Sequence, residues 1–168
     1  VEAVEGVEVG GGKGPKAEAR GFEGGGHAAN FPKSSHLSEN RQPLFFMDEF
    51  MQEAIRQARK SLAEGGIPIG SALVKAGRLV AAGHNKRVQH DNPILHGEMD
   101  CLNNAGRVGS FRDTVIYSTL MPCYMCAGTI VQFKIPKVVV GESRTFAGAR
   151  AFMEQHGVEV VDLDLPEC

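Results

Sequence analysis

Four side chains between residues 94 and 126 have types and spacings that could assemble a reaction centre: His96, Glu98, Cys123 and Cys126. Cys123 and Cys126 are three apart behind Pro122, so on a helix both sulfurs share one face and can converge on one ion. A helix start adds positive potential and free N–H groups, which favour thiolate over thiol. His96 precedes them across a single strand-like segment, and successive strand ends in an α/β sheet gather on one edge. One imidazole and two thiolates form a zinc set. Four protein ligands normally close a structural zinc, whereas three leave a place for water, whose pKa the metal brings toward neutrality. Glu98, two residues from His96, could take that proton and return it. The other candidate ligands, His84, His90 and Cys101, have no spacing that aims them at the three. Cys101 reads as a small buried hydrophobe, and His84, His90 and His156 read as structural. The plainer alternatives are a structural zinc or buried thiol pair, and for Glu98 a helix-start carboxylate favoured by the dipole.

The elements that must position these groups follow from periodicity. Met47, Phe50, Met51, Ala54, Ile55, Ala58 and Leu62 recur at helical spacing up to Gly65-Gly66. "IGSALV" and "RLVAAGHN" read as strands joined by a turn at Ala76-Gly77. A helix is expected from about Ile94 to Ala105, closed by Gly106. Then come the strand "TVIYSTL", a helix opened by Pro122 and running to about Phe133, and the strand "KVVVGE" after Pro136. A short helix around "GARAFMEQ" and the strand "VEVVDLDL" complete the order α-β-β-α-β-α-β-α-β. This predicts an α/β fold of three layers, a five-stranded mixed sheet with helices on both faces.

Residues 1–46 differ. "VEAVEGVEVGGGKGP" and "GFEGGGH" are Gly-rich without period and bury too little to offset ordering entropy, so a disordered extension is expected, with no role for His27 or His36. Val1 stands where an initiator methionine would, and Met47 opens the patterned region. An upstream extension or a fragment boundary would explain both. Residues 47–168 are then the folded domain, and 42% hydrophobic residues in a chain of 168 supply a core for one domain. A net charge of −2 argues against nucleic acid or an anionic membrane as the main partner. No apolar run is long enough to span a membrane, and no signal-peptide pattern opens the chain, so the cytoplasm is expected. In that setting a C-x-x-C pair reads as metal or redox chemistry before a disulfide.

H-x-E followed by P-C-x-x-C is the signature of zinc-dependent nucleobase deaminases, and "HGE" at 96–98 with "PCYMC" at 122–126 matches it. "GGIPIGSALV", "GHN", "NPILHGEMDCLNNAGR", "YSTLMPCYMCAGTI" and "IPKVVVGESRTF" resemble the small, fungal-type cytosine deaminases and their bacterial relatives, over roughly Met47 to Cys168. The resemblance implies a cytidine-deaminase-like fold, one zinc per chain, a homodimer, and hydrolysis of cytosine to uracil and ammonia. It implies that Asn85 holds the pyrimidine edge, the Gly97 backbone contacts the ring carbonyl, Ile69 lines the pocket and Phe146 closes over the base. Read alone, Asn85 is also a turn former and Phe146 a core plug. The related deaminases of tRNA adenosine typically carry alanine where Gly97 stands, which favours a small-molecule nucleobase over nucleic acid.

Two departures stand out. The family continues after its last strand into a C-terminal helix, expected to be missing here because the chain stops at Cys168. The acidic residue of that helix that helps read the base then has no counterpart. Met121 stands where relatives often have a small polar residue. Two other readings are therefore kept: deamination of guanine, isocytosine or a tRNA adenosine, and a catalytically silent zinc-binding dimerisation domain.

Overall fold

The computed structural model of this chain describes residues 48–168. The expected disordered segment 1–46, with His27 and His36, and the Met47 start of the first helix lie outside the described residues. Helix α1 spans Glu49–Ala63 and buries Met51, Ala54, Ile55 and Ala58 along one stripe. Leu62, the last member of the predicted stripe, is instead 62% exposed. The final turn receives the returning chain through Ser61, whose hydroxyl donates to the carbonyls of Ile67 and Asn85.

Strands β1 (Gly70–Lys75) and β2 (Arg78–His84) form an antiparallel hairpin. Ala76 and Gly77 both have positive φ, 49° and 70°, as a two-residue turn matched to strand twist requires. Helix α2 is Gly97–Ala105, β3 is Thr114–Leu120, α3 is Tyr124–Phe133, β4 is Lys137–Glu142, α4 is Arg150–Gln155 and β5 is Glu159–Asp162. The sheet order is β2-β1-β3-β4-β5, with β1 antiparallel to both neighbours and β3, β4 and β5 parallel. The predicted mixed sheet is therefore present.

Strand ends shift by about one residue, and three larger departures from expectation have visible causes. Helix α2 starts at Gly97 rather than Ile94, because the backbone before it is engaged elsewhere. Asn92 accepts the Ile94 N–H through Oδ1 at 3.1 Å, and the Leu95 carbonyl accepts the Lys86 N–H at 2.9 Å. Pro122 lies before α3 rather than within its first turn, and its carbonyl accepts the Ala149 N–H at 2.9 Å. Strand β5 ends at Asp162. Leu163 and Leu165 still bond to β4, but Asp164, at φ 51°, breaks the extended run.

Alternate strand residues point to opposite faces. Leu73, Ile116, Val138 and Val140 pack with Leu102, Ile130 and Met153 beneath α2, α3 and α4. Ala72, Val74, Tyr117 and Val139 pack with Met51, Ala54 and Ile55 beneath α1. A Cβ on Gly83 would lie 2.3 Å from the Cys101 nitrogen, so glycine lets α2 rest directly on β2. Because β2 and β3 are both antiparallel to β1, the C-terminal ends of β2, β3 and β4 share one edge with the start of β1. Among the described residues, no helix is long and apolar enough to cross a membrane.

Candidate metal and catalytic centre

At that edge α2 and α3 begin. His96 is the N-cap residue of α2 and Cys123 that of α3, both with extended backbone (φ −67°, ψ 164° and φ −72°, ψ 172°), and neither side chain makes a capping hydrogen bond. Both side chains are turned instead to a common point. The Cys123 sulfur lies 3.6 Å from His96 Nδ1 and 3.7 Å from the Cys126 sulfur, and the three donor atoms lie within 4.8 Å of one another. Zinc–sulfur bonds of about 2.3 Å and zinc–nitrogen bonds of about 2.05 Å at tetrahedral angles would separate two sulfurs by about 3.8 Å, and sulfur from nitrogen by about 3.6 Å. The donors fit one tetrahedral zinc, and among the described residues no other trio of His, Cys or acidic groups converges in this way.

The remaining candidates for a fourth ligand are engaged or distant. His84 is buried between Gln57 Oε1 at 3.1 Å and Glu64 Oε2 at 2.8 Å. The Cys101 thiol is fully buried and donates to the Ala81 carbonyl, and burial pushes its pKa up. His90 is exposed, and His156 Nδ1 faces the Phe152 carbonyl.

Glu98, in the first turn of α2, is 3% exposed. The Ser118 hydroxyl on β3 donates to its Oε1 at 3.3 Å. Burial lifts its carboxyl above the usual carboxylate range, against hydrogen bonds from its own N–H, Cys126 and Ser118, which lower it. Cys126 is pushed up by burial and then by the charges of Glu98 and Cys123. Burial, with Arg87 nearby, lowers the pKa of His96, which favours the neutral imidazole that ligates metals. A Cys126 thiol whose ionisation is opposed by burial and by its neighbours' charges is suited to a divalent cation, which inverts the local electrostatics.

Two buried residues here escaped the sequence reading. Ser118 breaks the apolar alternation of β3 on the face of Ile116, a signal that was visible. Asp100, 3% exposed, accepts from Lys86 Nζ at 2.8 Å and from the His84 N–H at 3.1 Å, tying the end of β2 to α2. An acid within a buried helix turn was the available clue.

Three of the residues expected to meet substrate come together. The Ile69 carbonyl accepts the Asn85 N–H at 2.8 Å, and a Cβ on Gly97 would lie 3.1 Å from that same carbonyl. Asn85 is 1% exposed, and its Oδ1 accepts the Arg87 N–H at 3.1 Å, so it also forms the turn that its residue type suggests. Phe146 is not a core plug. The residue is 45% exposed, on the loop between β4 and α4.

Comparison with known proteins agrees with this geometry. Residues 46–142 match the family described as the cytidine and deoxycytidylate deaminase zinc-binding region. The cytosine deaminase of Candida albicans is 46% identical over 121 residues, covering 70% of this chain and 81% of that protein. A tRNA-specific adenosine deaminase of Streptococcus pyogenes is 43% identical over 104 residues, covering 60% of this chain and 65%, just under two thirds, of that protein. The structure of guanine deaminase from Bacillus subtilis superposes with a TM-score of 0.54 at 29% identity, covering 61% of this chain and 68% of that one.

Proposed function

This chain belongs to the cytidine and deoxycytidylate deaminase family, and on that premise we propose that it deaminates a free nucleobase, converting cytosine and water to uracil and ammonia. The observation that carries the reading is the enclosed Glu98 on the turn after His96, beside a three-donor cluster spaced for zinc. The 46% identity to a cytosine deaminase supports cytosine as the base.

Zinc held by His96, Cys123 and Cys126 supplies Lewis-acid activation of water. Glu98 accepts one proton of the water and delivers it to N3 of the ring as the water oxygen bonds to C4. It then carries that oxygen's remaining proton to the amine, which leaves as ammonia when the C4–N bond breaks and the carbonyl forms. Its burial suits this work, because desolvation raises the carboxyl's affinity for a proton above the ordinary and so favours its acting as a base. Ser118 fixes one carboxylate oxygen of this group. Free N–H groups at the start of α3 stabilise the negative charge that develops on oxygen. Asn85 holds the pyrimidine edge, the Gly97 backbone meets the ring carbonyl, Ile69 lines the pocket and Phe146 closes over the base. The homodimer belongs to the same reading, and sedimentation of the zinc-loaded chain tests it.

A second reading, deamination of adenosine in tRNA, draws on the 43% identity to a streptococcal enzyme of that name. Glycine at 97 speaks for the smaller substrate by the resemblance, in which the tRNA adenosine deaminases typically carry alanine at this position. Ammonia release on cytosine, isocytosine, guanine and a tRNA, the last at several salt concentrations, separates the two. Turnover of cytosine supports the proposal. Turnover of tRNA alone, falling steeply with salt, would replace the substrate and leave the chemistry.

A further inference from the structure

Glu142, the last residue of β4, is 4% exposed and does two things at once. Its backbone carbonyl accepts the Met121 N–H at 3.0 Å, which holds the turn leading into Pro122 and Cys123. Its side chain reaches the other way, into the loop between β4 and α4. There it accepts the Thr145 N–H at 3.0 Å and the Thr145 hydroxyl. Burial raises its pKa, but these bonds and the Arg144 N–H outweigh burial and leave it below the usual carboxylate range, so the ionised acceptor form prevails.

The same loop is tied down on both flanks. Ser143 donates to Asp162 at 2.5 Å and Arg150 donates to the same carboxylate at 2.8 Å. Arg144 pairs with Asp164 at 2.8 Å. At its far end the Ala149 N–H donates to the Pro122 carbonyl, and Gly148 is packed against Met121 and Pro122. The loop thus begins and ends against the segment that presents Cys123, with the exposed Phe146 next to the residue that Glu142 grips.

We propose that Glu142 is a positioning residue that couples the turn carrying Cys123 to the loop carrying Phe146, and so sets how that loop meets the substrate. This rests on the deaminase reading, in which Phe146 closes over the base. A residue that clamps the loop governs substrate capture more than the chemical step, so its loss falls on KM and leaves zinc content and kcat nearly unchanged.

The test is a double-mutant cycle on the zinc-loaded full chain, with whichever base of the panel it turns over. Glu142→Ala should raise KM about tenfold, the scale of one hydrogen bond to a charged group. Glu142→Gln, which keeps one acceptor, should restore part of it. Thr145→Val removes only the exposed residue's hydroxyl and should raise KM by a smaller factor without threatening the fold. Phe146→Ala should raise KM by itself, and Glu142→Ala should add nothing in that background. A KM raised by Phe146→Ala but untouched by Glu142→Ala and Thr145→Val overturns the proposal and leaves the deaminase reading intact. Additive effects overturn the coupling. A measurement that needs no turnover accompanies the cycle: amide exchange at Thr145 and Phe146 should quicken about tenfold in Glu142→Ala while residues 126–133 stay protected. Unchanged exchange also overturns the proposal.

Discussion

At the start of α1, Asp48 accepts the Phe50 N–H with one carboxylate oxygen and the Tyr117 hydroxyl, at 2.6 Å, with the other. That closes the helix end and pins it to β3. At the starts of α2 and α3 the same position is held by His96 and Cys123, in backbone conformations a capping residue could use, yet neither side chain caps. An absent cap costs about 1 kcal/mol. The difference separates a helix start built for stability from two built to present ligand atoms. The N-cap position suits ligation because its side chain leaves the helix beside free N–H groups and positive potential. Two such starts at one sheet edge bring three donors together.

The largest test of this comparison is Cys123→Ser. Serine caps well and ligates zinc poorly, so zinc content should fall below stoichiometric and turnover should drop to background, as metal analysis beside an ammonia assay would read. A variant that keeps both its zinc and its turnover would break the contrast between the helix starts. Zinc removal by chelation is next in size. With free zinc at about a thousandfold above its Kd, the bound ion adds about 4 kcal/mol to stability. Removing it should speed amide exchange at the starts of α2 and α3 and leave the first turn of α1 unchanged.

Asp48→Ala should do the reverse. It should cost about 1–2 kcal/mol in denaturant unfolding while zinc content and turnover stay at the wild-type level. Smallest is the effect of Cys123→Ser on the zinc-free protein. A restored cap should raise its stability by about 0.5–1 kcal/mol, a melting shift of a few degrees. A zinc-free variant less stable than the zinc-free wild type would show that the α3 start had a hidden partner.

Much of this arrangement was legible because it is written locally. The strands β3 and β4 stand where their apolar runs stand, and the spacings of His96, Glu98, Cys123 and Cys126 already implied a convergent site. What the sequence did not disclose depends on distant partners. Ile94 and Leu95 are apolar and look helical, but Asn92 and Lys86 claim their backbone groups. Leu62 fits the stripe of α1, yet the chain returning through Ile67 and Asn85 takes that turn by way of Ser61. Asp100, Ser118 and Glu142 act through residues on other elements, and no periodicity announces such pairings. Phe146 reads as a core residue by type alone, and its exposure follows from a loop anchored on either side of it.

The central claim is that Glu98 moves the protons beside a zinc held by His96, Cys123 and Cys126. Its most direct test is ammonia release from cytosine by the zinc-loaded protein and by zinc-loaded Glu98→Gln, with zinc content measured on the same samples. Glutamine keeps the shape and the hydrogen bond from Ser118 but cannot take a proton. The account predicts equal zinc in both and a loss of about 10²–10⁴-fold in turnover for the variant. Turnover retained by Glu98→Gln at full zinc content would contradict it.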